Sequence, residues 1–182
     1  METKVIDMND KINFSSGKYD AIPDRRIAED TARKYRTSIA KNGSIVTHHY
    51  YSYFDKEGNQ IANKIRQVEG KKIWSQGDMS DALLFGQNLF KSGGKYITIV
   101  EGEIDAMSAY EMMGSKWAVV SIKNGVQSAV KNCKQHLEYL NSFENVVVCF
   151  DTDEQGQEAS QKVAQLFEPN KCKIARLDYK DA

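Results

Sequence analysis

The chain has 182 residues, of which 41% are apolar and 27% charged, with two prolines and three cysteines. This is enough for one large globular domain or two small ones, and it excludes a disordered tail, a collagen-like polymer and a disulfide scaffold. Lys plus Arg and Asp plus Glu number 25 each, so the total charge announces no polyanionic partner. The balance is uneven along the chain, however. Residues 1–94 carry 15 basic and 12 acidic side chains, residues 95–182 carry 10 and 13, and between Lys18 and Lys72 the count is 12 against 7. A basic half followed by an acidic half fits a site where one part grips phosphates and the other holds metal ions. Two solvated surfaces of opposite sign would give the same counts.

Cys133, Cys149 and Cys172 are far apart and form no CxxC pair, so neither a zinc ribbon nor a secreted disulfide framework is expected. Cys149 lies in the apolar run Val146–Phe150 and reads as a small buried hydrophobe. No signal core and no run of the roughly 18–20 residues a membrane helix needs is present, so the expectation is a soluble, cytoplasmic protein with no membrane partner.

In chain order, residues 1–19 have no period and read as an arm. Pro23 leads into a short charged helix over Ala28–Tyr35, with Ile27, Thr31 and Tyr35 four apart. Two strand-like runs follow, Ile45–Phe54 and Ile61–Val68, joined by Asp55-Lys56-Glu57-Gly58-Asn59, whose Gly-Asn pair suits a hairpin. Lys71–Trp74 offers a short third strand, Ser80–Phe90 a partly helical connector, and Ser92-Gly93-Gly94 the clearest boundary. Beyond it the period is regular: strand Tyr96–Val100, helix Ile104–Met113 ended by Gly114, strand Trp117–Ile122, helix Val126–Leu140, strand Asn145–Phe150, helix Glu154–Phe167 and strand Lys173–Leu177. Alternating strands and helices, with near-continuous Val and Ile in the strands, predict an α/β domain: a parallel sheet of four strands with helices on both faces. The expected division is a small basic α+β subdomain over 1–92 and the α/β domain over 95–182.

Sites in open parallel sheets form at the carboxyl ends of the strands. Here the first strand is followed by Glu101-Gly102-Glu103-Ile104-Asp105 and the third by Asp151-Thr152-Asp153-Glu154-Gln155-Gly156, while Asp178, Lys180 and Asp181 follow the fourth. Carboxylates converging on one edge repel each other and call for a cation, and hard oxygen donors suit Mg²⁺ or Mn²⁺ rather than zinc. Each piece alone has an ordinary reading, since acidic residues also stabilise helix N-termini. No GxxxxGK[ST] phosphate loop is present: Ser92-Gly93-Gly94-Lys95-Tyr96 lacks its spacing and its hydroxyl, which argues against an ATPase.

Taken together, the motifs after the first and third strands resemble those of the Toprim domain, shared by bacterial-type primases, topoisomerases and some nucleases. Ser121-Ile122-Lys123-Asn124-Gly125 is similar to the small-residue turn of that family. A narrower resemblance reaches back to about residue 20. Asn63-Lys64-Ile65-Arg66, Leu84–Phe90 and Lys180-Asp181-Ala182 look like the primase part of the bifunctional primase–helicases of T-odd phages, to which the mitochondrial helicase Twinkle is related. The resemblance implies template-directed synthesis of short RNA primers on single-stranded DNA, with ribonucleoside triphosphates as substrates and a replicative helicase as partner. It implies Glu101, Asp151 and Asp153 as catalytic and metal-binding residues, with Glu103, Asp105 and Asp181 as further metal carboxylates. The spacing of Lys64 and Arg66 on one strand puts them on one face. They would bind nucleotide or template phosphates, joined by Lys71, Lys72 and Lys180.

These 182 residues hold no zinc-binding cysteine set and no helicase domain, so the expectation is either a core cut out of a longer protein or a form without the zinc module. Without the zinc module, initiation is expected to be weak or unspecific, with extension of supplied primers better preserved. Two other readings stay open on the residues alone: a non-catalytic single-stranded-DNA-binding module of a helicase, and a Toprim metal-dependent nuclease. A topoisomerase would need a nucleophilic tyrosine in a further domain.

Overall fold

The computed structural model describes residues 13–176. Among them are two four-stranded sheets. The first is antiparallel: β1 (Thr37–Asn42), β2 (Ile45–Phe54), β3 (Gln60–Gln67) and β4 (Ile73–Gly77) lie in sequence order, entered through α1 (Glu29–Lys34). The second is parallel, built from β5 (Tyr96–Val100), β6 (Ala118–Ser121), β7 (Asn145–Cys149) and β8 (Cys172–Ile174) in the order β6-β5-β7-β8. Its crossovers carry α2 (Glu103–Met112), the pair α3 (Ala129–Gln135) and α4 (Leu137–Asn141), and α5 (Glu154–Ala164).

Alternation along β2 decides which face of the antiparallel sheet is covered. His49, Tyr51 and Tyr53 are buried and the residues between them only half so, and the register sets Arg66, Lys64 and Ala62 opposite these three. The covered face lies on the parallel sheet. One apolar core joins Tyr35, Ile39, Tyr51, Tyr53 and Phe85 to Val100, Ile104, Met107, Tyr110 and Val119. A second core fills the opposite face of the parallel sheet, with Ile97, Ile99, Val120, Val146 and Val148 under α3, α4 and α5. Helices therefore cover both faces, as the alternation predicts. The first core crosses the Gly93-Gly94 boundary, so the basic and acidic halves share their interior.

Three elements differ from the sequence reading. β1 is additional: its residues are mostly polar, and it forms because β2 pairs along one side while Lys18 bridges Ile39 on the other. The helix expected over 126–140 is a 3₁₀ turn (Val126–Ser128) followed by α3 and α4, separated at His136. Ser80–Phe90 is mostly irregular, with one 3₁₀ turn (Gln87–Leu89), and its Phe85 exchanges both backbone hydrogen bonds with Ser121. That bridge pairs the last residue of β6, the outer strand of the parallel sheet. No described helix is long and apolar enough to cross a membrane.

Candidate active site

Glu101 follows β5 directly and Asp151 follows β7, two adjacent strands, so the parallel register delivers both to the same sheet edge. Asp105 lies one helical turn after Glu101 in α2, and Asp153 caps α5 by accepting the Gly156 N–H at 2.8 Å. Two glycines allow this crowding. A Cβ on Gly102 would sit 2.6 Å from a carboxylate oxygen of Asp105. One on Gly156 would sit 2.1 Å from the Asp151 carbonyl oxygen, far inside contact distance, so only glycine lets α5 start this close to β7.

Two of these carboxylates, Glu101 and Asp105, feel the others. Burial raises the Glu101 carboxyl, and the charges of Asp151, Asp105 and Asp153 raise it further against a hydrogen bond from the Asp151 backbone. Asp105 is pushed up to about 6 by burial and by the charges of Asp151 and, less strongly, Glu103, against the Gly102 N–H and the Arg25 guanidinium. Cys149 stands half-buried beside the group, and its thiol is raised by burial and by Asp105 and Asp151. A set of hard oxygens that destabilise each other's charge is what a divalent cation relieves. Among the described residues no three acidic, His or Cys side chains close into a ready-made cage. Mg²⁺ is commonly held by one or two carboxylates together with water and substrate phosphates, so this open donor set fits such an ion. Thr152 and Asp151 also line a pocket of about 190 Å³ with Gln157, Ser160 and Arg176.

Glu103 departs from the group. It is 8% exposed, and one carboxylate oxygen, Oε1, accepts the Tyr53 hydroxyl at 2.5 Å and the Lys64 ammonium. Lys64, equally buried, also donates to the carbonyl oxygen of Lys123, and its Nζ stands 5.7 Å from the centre of the Tyr53 ring. Lys64 and Arg66 do share the inward face of β3, but Lys64 is committed to a buried ion pair while Arg66 remains half-exposed farther along. Lys71 and Lys72 are exposed on the β3–β4 turn beyond Arg66. Lys180, Asp181 and Asp178 lie outside the described residues.

Sequence reasoning missed three features. Arg25, at the end of the 3₁₀ turn Pro23–Arg25, places its charge where Asp105, His49 and Tyr51 feel it; only its position in the basic stretch hinted at it. Arg176 shares the pocket beside Asp151. Lys123, 2% exposed, donates from Nζ to the carbonyls of Ser80 and Ala82 and to Gln135, at 3.0, 2.7 and 3.2 Å. Its backbone N–H is held by Asn132 at 2.7 Å, so one residue ties the connector, α3 and the loop after β6 together.

Comparison with known proteins agrees with this geometry. A Toprim-like family model matches residues 98–182. A DNA helicase/primase of Enterobacteria phage T3 is 33% identical over 168 residues, which are 92% of this chain and 29% of the phage protein. The primase fragment of the bacteriophage T7 primase–helicase superposes with a TM-score of 0.81 at 36% identity, over 91% of this chain and 68% of that one. The primase domains in a complex of T7 lagging-strand DNA polymerase, bound to an RNA/DNA hybrid and dTTP, match equally well over 83% of their chain. Sequence identity and superposition both run through the antiparallel sheet as well as the parallel one, and the chain belongs to the Toprim primase family of the phage helicase–primases.

Proposed function

We propose that this chain is the catalytic core of a DNA primase, joining ribonucleotides into short primers on a single-stranded DNA template by metal-assisted nucleotidyl transfer. The observation that carries this reading is the convergence of Glu101, Asp105, Asp151 and Asp153 on one sheet edge, overhung by a sheet whose Arg66 belongs to the same covered face. In the reaction a primer 3′-hydroxyl attacks the α-phosphate of an incoming nucleotide and pyrophosphate leaves.

Asp151 and Asp153, with Glu101 and Asp105 beside them, would hold the divalent ions, Mg²⁺ or Mn²⁺. When bound, such ions neutralise charge on the attacking and leaving oxygens. Glu101, whose burial and neighbours raise its carboxyl, is suited to take the proton of the attacking hydroxyl. Arg66 and Arg25 would contact the triphosphate, the guanidinium fork matching two phosphate oxygens at once. Lys71, Lys72 and Lys180 would follow the template backbone. A replicative helicase, in the same chain or as a subunit, is the expected partner, and the cytoplasm of a phage-infected bacterium the expected compartment.

The test is incorporation of labelled ribonucleotides on single-stranded DNA with Mg²⁺ or Mn²⁺, with and without a short RNA primer, beside the double variant Asp151→Asn, Asp153→Asn. Metal-dependent extension that the variant loses supports the reading, and primed extension should exceed de novo initiation. Metal-dependent shortening of the DNA instead would assign a nuclease. DNA binding with neither reaction would leave a binding module.

A further inference from the structure

The acidic motif after β5 carries three carboxylates in five residues, and the structure splits them. Glu101, just before α2, and Asp105, within it, both feel the Asp151 charge. Glu103, between them, is turned toward the antiparallel sheet. There its Oε1 receives both the Tyr53 hydroxyl and the Lys64 ammonium, inside a contact where each of the two ionic residues is 8% exposed. That oxygen already takes an ammonium and a hydroxyl, so using it as a metal ligand would mean giving up the buried ion pair. Drawing it away would strand Lys64, a buried cation left with the Lys123 carbonyl and the Tyr53 ring.

We infer that Glu103 is a positioning residue and not a metal ligand: it clamps Lys64, and through Lys64 fixes the height of β3 above the carboxylate edge. The inference rests on the primase reading and deepens it. The clamp has three points. Glu103 anchors the ammonium to the start of α2, Tyr53 braces the same oxygen from β2, and the Lys123 carbonyl attaches the ammonium to the loop after β6. Arg66 is two residues from Lys64 on the same strand face, so the separation between its guanidinium and Asp151 follows from where Lys64 is held. Loosening the clamp should weaken nucleotide binding while leaving the metal ions in place.

The experiment reads metal and nucleotide separately on the full chain. Mn²⁺ binding is followed by the loss of the free-ion paramagnetic resonance signal in wild type, Glu103→Gln, Asp151→Asn and the neutral pair Lys64→Gln, Glu103→Gln, which keeps hydrogen-bonding groups at both positions should the single variant fold poorly. Glu103→Gln and the neutral pair should bind the same number of ions as wild type, within about twofold in affinity, whereas Asp151→Asn should weaken binding about 10–100-fold. In primed extension Glu103→Gln should raise KM for the nucleotide about tenfold with kcat little changed, the signature of lost binding rather than lost chemistry. Loss of an ion in Glu103→Gln or the neutral pair would overturn the assignment alone. A wild-type chain that binds Mn²⁺ but incorporates nothing would overturn the primase reading and leave the metal comparison standing. Failure of wild type to bind Mn²⁺ would remove both.

Discussion

The acidic edge and the seam beside it use the same side chains to opposite ends. At the edge, Glu101, Asp105 and Asp151 face one another, and burial and repulsion raise the first two. At the seam, Glu103 is also a carboxylate and more deeply placed, yet it is matched at once by Lys64 and Tyr53. The comparison teaches that carboxylate count is a poor guide to a metal site. What separates a site waiting for charge from a finished structural contact is whether the protein supplies the counter-ion itself.

The largest expected effect breaks the edge. Removing both charges with Asp151→Asn, Asp153→Asn should lower metal-dependent incorporation about a thousandfold, the several kcal/mol that metal-bound charge contributes, while circular dichroism shows the fold retained. At the seam the sign of the damage should differ. Lys64→Met leaves Glu103 buried without its cation and should cost about 3–5 kcal/mol of unfolding free energy in urea. Adding Glu103→Leu should restore most of that loss, because an apolar pair of similar volume can replace a buried ion pair. If the double variant is no more stable than the single one, the seam depends on charge in a way the comparison does not capture.

Acidity should distinguish the regions as well. Asp105 is raised to about 6 from an ordinary value of 3.8, so the unfolded chain binds fewer protons than the folded one between those values. Its charge therefore destabilises the metal-free fold increasingly as pH rises through that window. Asp105→Asn should stabilise the metal-free chain by about 2–3 kcal/mol at pH 7.5 and hardly at all near pH 4, as read from urea unfolding in EDTA. The seam runs the other way. His49 is buried on β2 and lowered to about 4 from 6.5 by burial first, so the stability it supports is present above pH 6.5 and fades as pH falls toward 4. The smallest effect belongs to the backbone: Gly156→Ala must push α5 off the Asp151 carbonyl and should cost about 1–3 kcal/mol, checked by thermal melting.

Much of this was legible locally. β5 matches its expected bounds because a continuous apolar run is closed by Gly93-Gly94 before it and by acids after it. The acidic motifs were readable because each falls within a few residues of a strand end. β1 was not, since Ile39 and Ala40 alone interrupt its polar run and its pairing comes from residues 18 and 45–51. The break at His136 is tertiary too: its ring is buried and bonded to the Ala82 backbone of the connector. Spacing placed Lys64 and Arg66 on one face of a strand, but it says nothing of what that face meets. Glu103 is 39 residues from Lys64, and no periodicity links a strand of one sheet to a helix that follows a strand of the other.

The core that runs beneath both sheets has a consequence for how the molecule can be cut. A fragment starting at Gly94 would hold every acidic motif and match the Toprim-like region, yet it would expose Val100, Ile104, Met107, Tyr110 and Val119 to water. It would also lose Phe85 and with it the pairing of the last residue of β6, an outer strand then open to pairing with another copy. Such a piece would aggregate. The portable unit is therefore the pair of sheets together.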